Sequence, residues 1–171
     1  MSSKLLVAIL AIVVVGAMGS IGAADEDEAN PAAVAKHLPS AKVTLQQGLT
    51  AAEAQGQSIS GKFEVDEGHF QLSVYTTKDG KFSEVVVDHT TGRVAKSEAI
   101  TGGDDLADAK KQMEAVAKAK KTLKSAVDQA ELASAGYRAV SVTPKLNNGH
   151  AVAVVRLLKG TQAKSVSESL E

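Results

Sequence analysis

The chain has 171 residues, with 19 lysines and arginines, 20 acidic residues, four histidines and no cysteine. A formal net charge of −1 argues against a protein that binds DNA or RNA through charge. Disulfide frameworks, cysteine metal sites and thiol nucleophiles are excluded. Three Phe, two Tyr and no Trp are too few for base-stacking surfaces, and we expect no cofactor. The length allows one ordinary domain or two very small ones.

The N-terminal residues have the pattern of an export signal. Lys4 is the only charged residue in the first 24, and the stretch Leu5–Met18 is almost entirely apolar before small residues follow. This order predicts a cleaved signal peptide at residues 1–24 and a periplasmic or secreted bacterial protein, for which cysteine is not required. The alternative is a retained membrane anchor, because residues 5–24 are uncharged and long enough to span about 30 Å of bilayer.

Residues 25–42 form a leader that is acidic at first and then rich in Ala and Pro, and its acidic run, Asp25–Glu28, is typical of a solvated segment. Within this leader, Asn30 followed by Pro31 predicts the start of one short helix that ends at His37, since Pro is accepted at a first helical position.

Two segments of the mature chain repeat each other. Residues 44–54 and 122–132 align at an offset of 78, and both carry an apolar stripe with the spacing of a helix face. The stripes are Leu45, Leu49 and Ala52, and Leu123, Val127 and Ala130. Further on, Gly68-His69 aligns with Gly149-His150 at an offset of 81, and each pair precedes a strand-like run. We therefore predict an internal repeat of a helix followed by a hairpin.

Within each unit the pattern predicts one helix and then three strands, joined by turns at Glu67-Gly68, Asp79-Gly80 and Asn148-Gly149. Leu72 and Val74 alternate with Gln71 and Ser73, so we expect this strand to bury one face and expose the other to water. The fold class that follows is α+β, a helix packed on a small antiparallel sheet, duplicated, with a long connecting helix.

The connection between the units begins with a Gly-Gly break, after which Asp104 is suited to cap a helix. Residues 105–133 contain no Gly or Pro, which predicts one long helix or two that abut near Lys121-Thr122. Pro144 cannot donate to a sheet ladder, so we expect its strand to be an edge strand or to end nearby.

Residues 78–94 end in a strand that closes with Val87-Asp88, two variable residues and Thr91-Gly92. With the preceding helix and Gly68 hairpin, this stretch resembles a PepSY domain. The resemblance covers residues 43–98 as a first unit and residues 121–171 as a degenerate second unit, with 99–120 as linker and start of the long helix. Asp88 and Gly92 suit a turn, in which the carboxylate accepts backbone N–H groups, so we expect structural roles for both.

PepSY domains occur in the propeptides of secreted thermolysin-like metalloproteases, which they assist or inhibit, and as stand-alone exported proteins. The resemblance therefore implies a non-enzymatic protein that binds another protein and restrains a secreted or periplasmic protease in trans, since the chain lacks His-Glu-x-x-His. Exposed sheet edges are the expected binding surfaces, because they can accept an added strand. We expect four lysines to protect these edges in part, namely Lys78, Lys81, Lys159 and Lys164.

The sequence offers no catalytic constellation, and we predict no catalytic, cofactor or metal residues. His69 and His150 occupy equivalent hairpin positions and are either paired metal ligands or exposed turn residues, of which we favour the second. His37 and His89 also flank turn signals, and Glu53 and Glu131 recur at matched helix positions that indicate a solvated face.

Six lysines give the predicted long helix a high positive charge, namely Lys110, Lys111, Lys118, Lys120, Lys121 and Lys124. They favour a solvated helix face. The alternative is a patch for anionic lipid, cell-wall polymer or an acidic protein, which would make the chain an envelope-associated structural or ligand-sensing module.

Overall fold

The computed structural model describes residues 30–171, so the predicted signal peptide at 1–24 lies outside the described residues. Its helices are α1 (Pro31–His37), α2 (Leu45–Ala52), α3 (Gly103–Lys118) and α4 (Leu123–Leu132). Its strands are β1 (Gln57–Asp66), β2 (His69–Lys78), β3 (Lys81–Val87), β4 (Val94–Ile100), β5 (Arg138–Asn147), β6 (His150–Lys159) and β7 (Gln162–Ser169).

All seven strands form one antiparallel sheet in the order β4-β3-β2-β1-β5-β6-β7. The two predicted units meet at its centre, where Gly61 of β1 faces Val142 of β5. The α+β class with helices packed on an antiparallel sheet is confirmed. The sheets of the two units are continuous, a point that no local pattern could establish because the β1–β5 pairing joins residues far apart in the chain.

Local sequence signals account for the helix starts. The Asn30 side chain accepts hydrogen bonds from the first turn of α1, which begins with Pro31 and runs to His37 as predicted. Thr44 and Gln47 form a reciprocal capping box at the start of α2. Thr122 caps α4 through the Ser125 N–H.

The predicted hairpin turns are confirmed. Glu67, Asp79 and Asn148 have φ of 46°, 52° and 50°, and the glycine after each is also in the positive-φ region. Two successive residues with positive φ match the right-handed twist of the flanking strands, which is why Asn, Asp and Gly serve there.

The two halves of the sheet share a common spacing. An offset of 81 residues relates β1 to β5 and β2 to β6, from first to last residue. Each half also carries a bulge at the equivalent position, at Ile59 in β1 and at Val140 in β5. Gly61 and Val142 are equivalent positions and face each other at the junction. Duplication of one unit stays a prediction.

Helices α1, α2 and α4 cover one face of the sheet. The predicted stripes of α2 and α4 are buried, with Leu45 at 0% exposure and Leu123 at 6%. They pack on alternate residues of the strands, among them Leu72, Val74, Val85, Val142 and Val155. At about 25 cal/mol per Å² of apolar surface, burial of these side chains is the main stabilising contribution to the fold.

The prediction that the face of β2 with Gln71 and Ser73 is exposed to water is wrong. Ser73, on the polar face, is 0% exposed, and Tyr75 on the same face is half-buried. Helix α3 packs on the face opposite α2, where Ala109 joins Ile59 and Phe82 in a second apolar cluster. Period-2 alternation showed which β2 residues share a face, but not that a distant helix would cover the polar one.

The chain between the units forms two helices rather than one long helix, and residues 119–122 separate them. Asp104 is not the cap of α3, because the helix already starts at Gly103 and no side chain caps it. The Asp104 carboxylate lies in the first turn, where it still favours the positive end of the helix dipole.

Pro144 lies in a strand that is internal to the sheet and continues to Asn147, so the edge-strand prediction is wrong. The pairing of β5 with β1, however, comprises only Val142 and Ser141. Pro144 is paired on one side alone, with Ala153 of β6. The β1–β5 ladder therefore ends before Pro144, so the missing N–H of the proline removes no hydrogen bond from it.

Candidate functional site

The two outer strands of the sheet, β4 and β7, are the candidate binding surfaces. The lysines expected to protect the edges mostly lie elsewhere. Lys78 and Lys81 flank the β2–β3 turn and Lys159 ends β6, while only Lys164 belongs to an outer strand. That expectation is corrected, because the edge strand β4 was not predicted at all.

β4 is the more open of the two edges. All five residues from Ala95 to Ala99 are exposed, while Val94 and Ile100 at its ends are half-buried. β3 pairs with one side of the strand. The other side carries the backbone N–H and C=O groups of an unpaired edge, which can accept a further strand.

Short side chains leave this edge accessible. Ala95, Ser97 and Ala99 are small, and the longer Lys96 and Glu98 are paired with each other at 2.8 Å, each side chain 58% exposed. Ala95 forms a bulge between the residues paired with Val86 and Val87. A bulge restricts pairing at one end of the edge, so the accessible ladder extends from Lys96 to Ile100.

The end of β7 is covered by the α3–α4 connection. The backbone N–H groups of Lys120 and Lys121 both donate to the Leu170 carbonyl, at 2.6 and 2.9 Å. The Lys121 ammonium also donates to the Ser169 carbonyl at 3.2 Å. An incoming strand would have to displace these bonds, so the two edges are not equivalent.

The predicted Asp-x-x-Thr-Gly turn positions β4. The Asp88 carboxylate accepts from the Thr90 and Thr91 N–H groups at 2.9 and 2.6 Å, and from the Thr91 hydroxyl at 2.9 Å. These bonds, those of Thr91 first, lower the pKa of Asp88 below its usual range. Gly92 has φ of 73° and completes the reversal from β3 to β4. The structural role expected for this turn agrees with its geometry.

The four histidines do not form one site. His69 and His150 are exposed and lie at opposite ends of the sheet, because β1 and β5 are antiparallel and their following turns point in opposite directions. The His150 ring nitrogen Nδ1 contacts the Glu171 carboxylate at 3.0 Å. Among residues 30–171, no three His, Asp or Glu side chains are grouped as metal ligands would be.

His37 and His89 are brought together by packing that the sequence did not reveal. Both rings contact Phe70, with centroid separations of 5.8 and 4.9 Å. Phe70 in turn stacks on Phe63 at 5.6 Å, and the Arg138 guanidinium lies 5.5 Å from the Phe63 ring. This aromatic cluster ties α1 to the sheet and to the β3–β4 turn.

Arg138 anchors the segment between α1 and α2. Its guanidinium donates to the carbonyls of Leu38, Ala41 and Val43 at 3.2, 3.2 and 2.6 Å. The backbone of Val43 also donates to the His89 carbonyl. A residue of the second half thus positions the polypeptide that leads into the first helix of the first half.

The interpretation of Glu131 as part of a solvated face is wrong. Its carboxylate is half-buried and accepts from the Ala139 N–H at 2.7 Å and from the Gln46 side-chain amide at 2.8 Å. The same amide donates to Asp128 at 3.1 Å. Glu53, its equivalent directly after α2, is exposed as expected. Glu131 therefore joins α2, α4 and β5, a long-range contact with no local sequence signal.

The predicted lysine-rich patch is divided between α3, the connection and α4. All six lysines are exposed. In α3 they are interspersed with acids, and Lys111 pairs with Asp108 at 2.7 Å. In α4, Lys124 pairs with Asp128 at 2.7 Å. Alternating charges on exposed helices resemble a solvated face rather than a concentrated cationic surface.

One half-buried ionisable pair lies on the α3 face of the sheet. Lys62 contacts Glu64 at 2.8 Å and lies 5.7 Å from the centre of the Tyr75 ring. Burial raises the pKa of Tyr75 to about 12. Burial would lower the pKa of Lys62, but Tyr75 and the hydrogen-bonded Glu64 raise it. These shifts favour the neutral phenol of Tyr75 and the charged ammonium of Lys62 near neutral pH.

Comparisons with protein-family models, with curated proteins and with solved structures find no match to this chain. None of the helices in residues 30–171 has the length and apolar character needed to cross a membrane.

Proposed function

We propose that this chain is an exported, non-enzymatic PepSY-like protein that binds another protein by accepting an extended segment as an additional strand beside β4. The proposed partner is a secreted or periplasmic protease, whose activity the bound chain restrains. The open backbone edge of β4 carries this proposal, since its residues Ala95–Ala99 are all exposed.

The edge suits a main-chain mode of recognition. Hydrogen bonds to backbone groups supply affinity for an extended peptide, while side-chain pockets supply specificity. Short residues at Ala95, Ser97 and Ala99 allow a partner strand to approach without a steric barrier. The rigid β3–β4 turn at Asp88 holds the edge in place before binding, which reduces the ordering entropy that association costs.

The choice of a protease as partner depends on the resemblance to PepSY, and the choice of site depends on the structure. An extended segment is also the conformation in which protease substrate clefts and their flanking strands present free backbone groups. Export is supported by the charged, apolar and small-residue order of residues 1–24.

Titration of the purified protein against a panel of thermolysin-like metalloproteases tests restraint. We expect peptide hydrolysis by at least one protease to fall in proportion to the added protein and to reach its limit at equimolar amounts. Unchanged hydrolysis at high molar excess across the panel would overturn the proposed restraint.

Proline substitutions test the site. In an antiparallel edge strand, successive N–H groups point alternately to the neighbouring strand and to solvent. Ser97→Pro and Glu98→Pro remove two successive N–H groups, of which one faces solvent and the other faces β3. The variant that removes the solvent-facing N–H should leave the fold intact and weaken binding of the protease about tenfold or more. The same pair of changes at Val166 and Ser167 in β7 is the control. Equal binding by the folded β4 and β7 variants would exclude β4 as the site.

A further inference from the structure

The sequence of β4 is self-complementary. About its central residue Ser97, the strand has Lys96 opposite in charge to Glu98, alanine at both 95 and 99, and apolar residues at both ends. Two such strands placed antiparallel with Ser97 facing Ser97 bring Lys96 of each against Glu98 of the other, within the regular part of the edge that follows the Ala95 bulge.

We propose that the β4 edges of two copies of this chain pair antiparallel, so that the sheet continues across a two-fold axis through Ser97. This inference goes beyond the proposed function and depends on it only in using the same open edge. In this register Lys96 of each copy faces Glu98 of the other, twice in the dimer. Ala99 of each copy lies against the bulged Ala95 of the other, so the regular pairing is short and centred on residues 96–98, and the small alanines cause no steric conflict there.

The charges around the edge favour this pairing. Glu98 lies directly opposite Glu84 across the β3–β4 ladder, where two like charges repel. Asp105 lines the same surface depression as Glu84 and Glu98. Within one copy, Lys96 is the cation paired with Glu98, at 2.8 Å. A second Lys96 from the other copy brings a further positive charge to this acidic surface.

The opposite charges of Lys96 and Glu98 determine whether the β4 edge repels or attracts an identical strand. Edge strands are protected against pairing when the charges they carry repel those of an identical strand. An edge with Lys alone would do so, whereas Lys96 and Glu98 two residues apart attract their counterparts in the antiparallel register. Charged residues of one sign would prevent two identical edges from pairing, whereas Lys96 and Glu98, with opposite signs, instead set the register in which the two edges pair.

Association through β4 stops at two copies. A two-fold axis makes the contact isologous, so each copy uses its β4 edge once and none remains open. At the other end of the sheet, the last residues of β7 are bonded by the α3–α4 connection. The dimer also occupies the strand that a partner protein would use, so self-association and partner binding exclude each other.

Sedimentation equilibrium of the purified full protein, with charge-reversed variants, tests the pairing. Lys96→Glu alone and Glu98→Lys alone each replace two attractive cross-strand pairs with repulsive ones, and each should weaken dimerisation about tenfold. The double variant Lys96→Glu/Glu98→Lys restores complementarity and should dimerise like the parent protein. An equimolar mixture of the two single variants should form a heterodimer, because one strand then carries only acids and the other only lysines at these positions.

Lys110→Glu, a charge reversal on exposed α3, is the control and should leave the dimer unchanged. A parent protein that stays monomeric at up to about 1 mM would overturn the inference. A dimer that both single variants leave unchanged would also overturn it. Neither result affects strand uptake from a protease, which the titration above measures separately.

Discussion

The two halves of the sheet are built on the same spacing but end differently. β1 and β2 match β5 and β6 at an offset of 81, including their bulges. Beyond them, the first half continues through the Asp88 turn to the open strand β4, whereas the second half ends at β7, whose last residues are bonded by the α3–α4 connection. The difference shows that equivalent hairpins can lead to one edge that is open along its length and one whose last residues are bonded to a helix connection.

The interiors of the halves also differ. In the first half, Gly48 of α2 lies against Leu72, and a Cβ at Gly48 would come within 2.2 Å of a Leu72 methyl carbon. The equivalent positions in the second half are Ala126 and Ala153, two small residues in place of a glycine and a leucine. Equivalent helix and strand positions are therefore filled by different combinations of residues in the two halves.

The largest expected effect concerns the Arg138 anchor, which has no counterpart in the first half. Arg138→Ala removes three hydrogen bonds to carbonyl groups and the contact with the Phe63 ring. We expect the free energy of unfolding, measured by urea denaturation, to fall by about 3 kcal/mol.

Gln57 occupies the equivalent position in β1 and is exposed, so Gln57→Ala is the matched control, with an expected change within about 0.5 kcal/mol. Similar losses for the two variants would contradict the anchoring role of Arg138.

A smaller effect is expected from exchanging the packing of the two halves. Gly48→Ala gains helix propensity but forces the buried Leu72 to move, for a net loss of about 1–2 kcal/mol in unfolding free energy. Adding Leu72→Ala reproduces the alanine pair of the second half, and the double variant should be more stable than the sum of the two single losses predicts. Denaturation of all three variants measures this coupling. Strict additivity would show that Gly48 and Leu72 do not constrain each other.

The smallest of the three effects concerns the turn that leads to β4. The pKa of Asp88 is lowered by hydrogen bonds, chiefly from Thr91, so its stabilising contribution is complete above the unfolded pKa and is lost as pH falls through the folded value. At neutral pH we expect the parent protein to have a higher melting temperature than the Asp88→Asn variant. This difference in melting temperature should shrink below about pH 4, near the ordinary pKa of Asp. Melting curves over a pH series measure it.

Asp88→Ala loses the acceptor at every pH and is the control for the turn itself. A difference between the parent protein and Asp88→Asn that does not change with pH would show that the carboxylate charge does not contribute to the turn.

Much of the local structure could be predicted from the residues. The positive-φ turns, the Asn30 cap, the stripe of Leu45 and Leu49, and the Asp88 turn all depend on interactions between residues close in sequence. β4 escaped prediction because Ala, Lys, Ser and Glu have low strand propensity, and its edge pairing with β3 compensates for this only in the folded protein. Its alternation of short and charged residues directly after Thr91-Gly92 was the available signal.

The sequence by itself determined the apolar faces of α2 and α4, the hairpin turns and which residues of β2 share a face, since periodicity and turn chemistry act over a few residues. Only the tertiary structure decided that Gly61 meets Val142 in one sheet, that α3 packs on Ile59 and Phe82, and that β4 stays open. These outcomes depend on contacts between segments distant in the chain, whose energies are set by the packing of whole surfaces rather than by any local pattern.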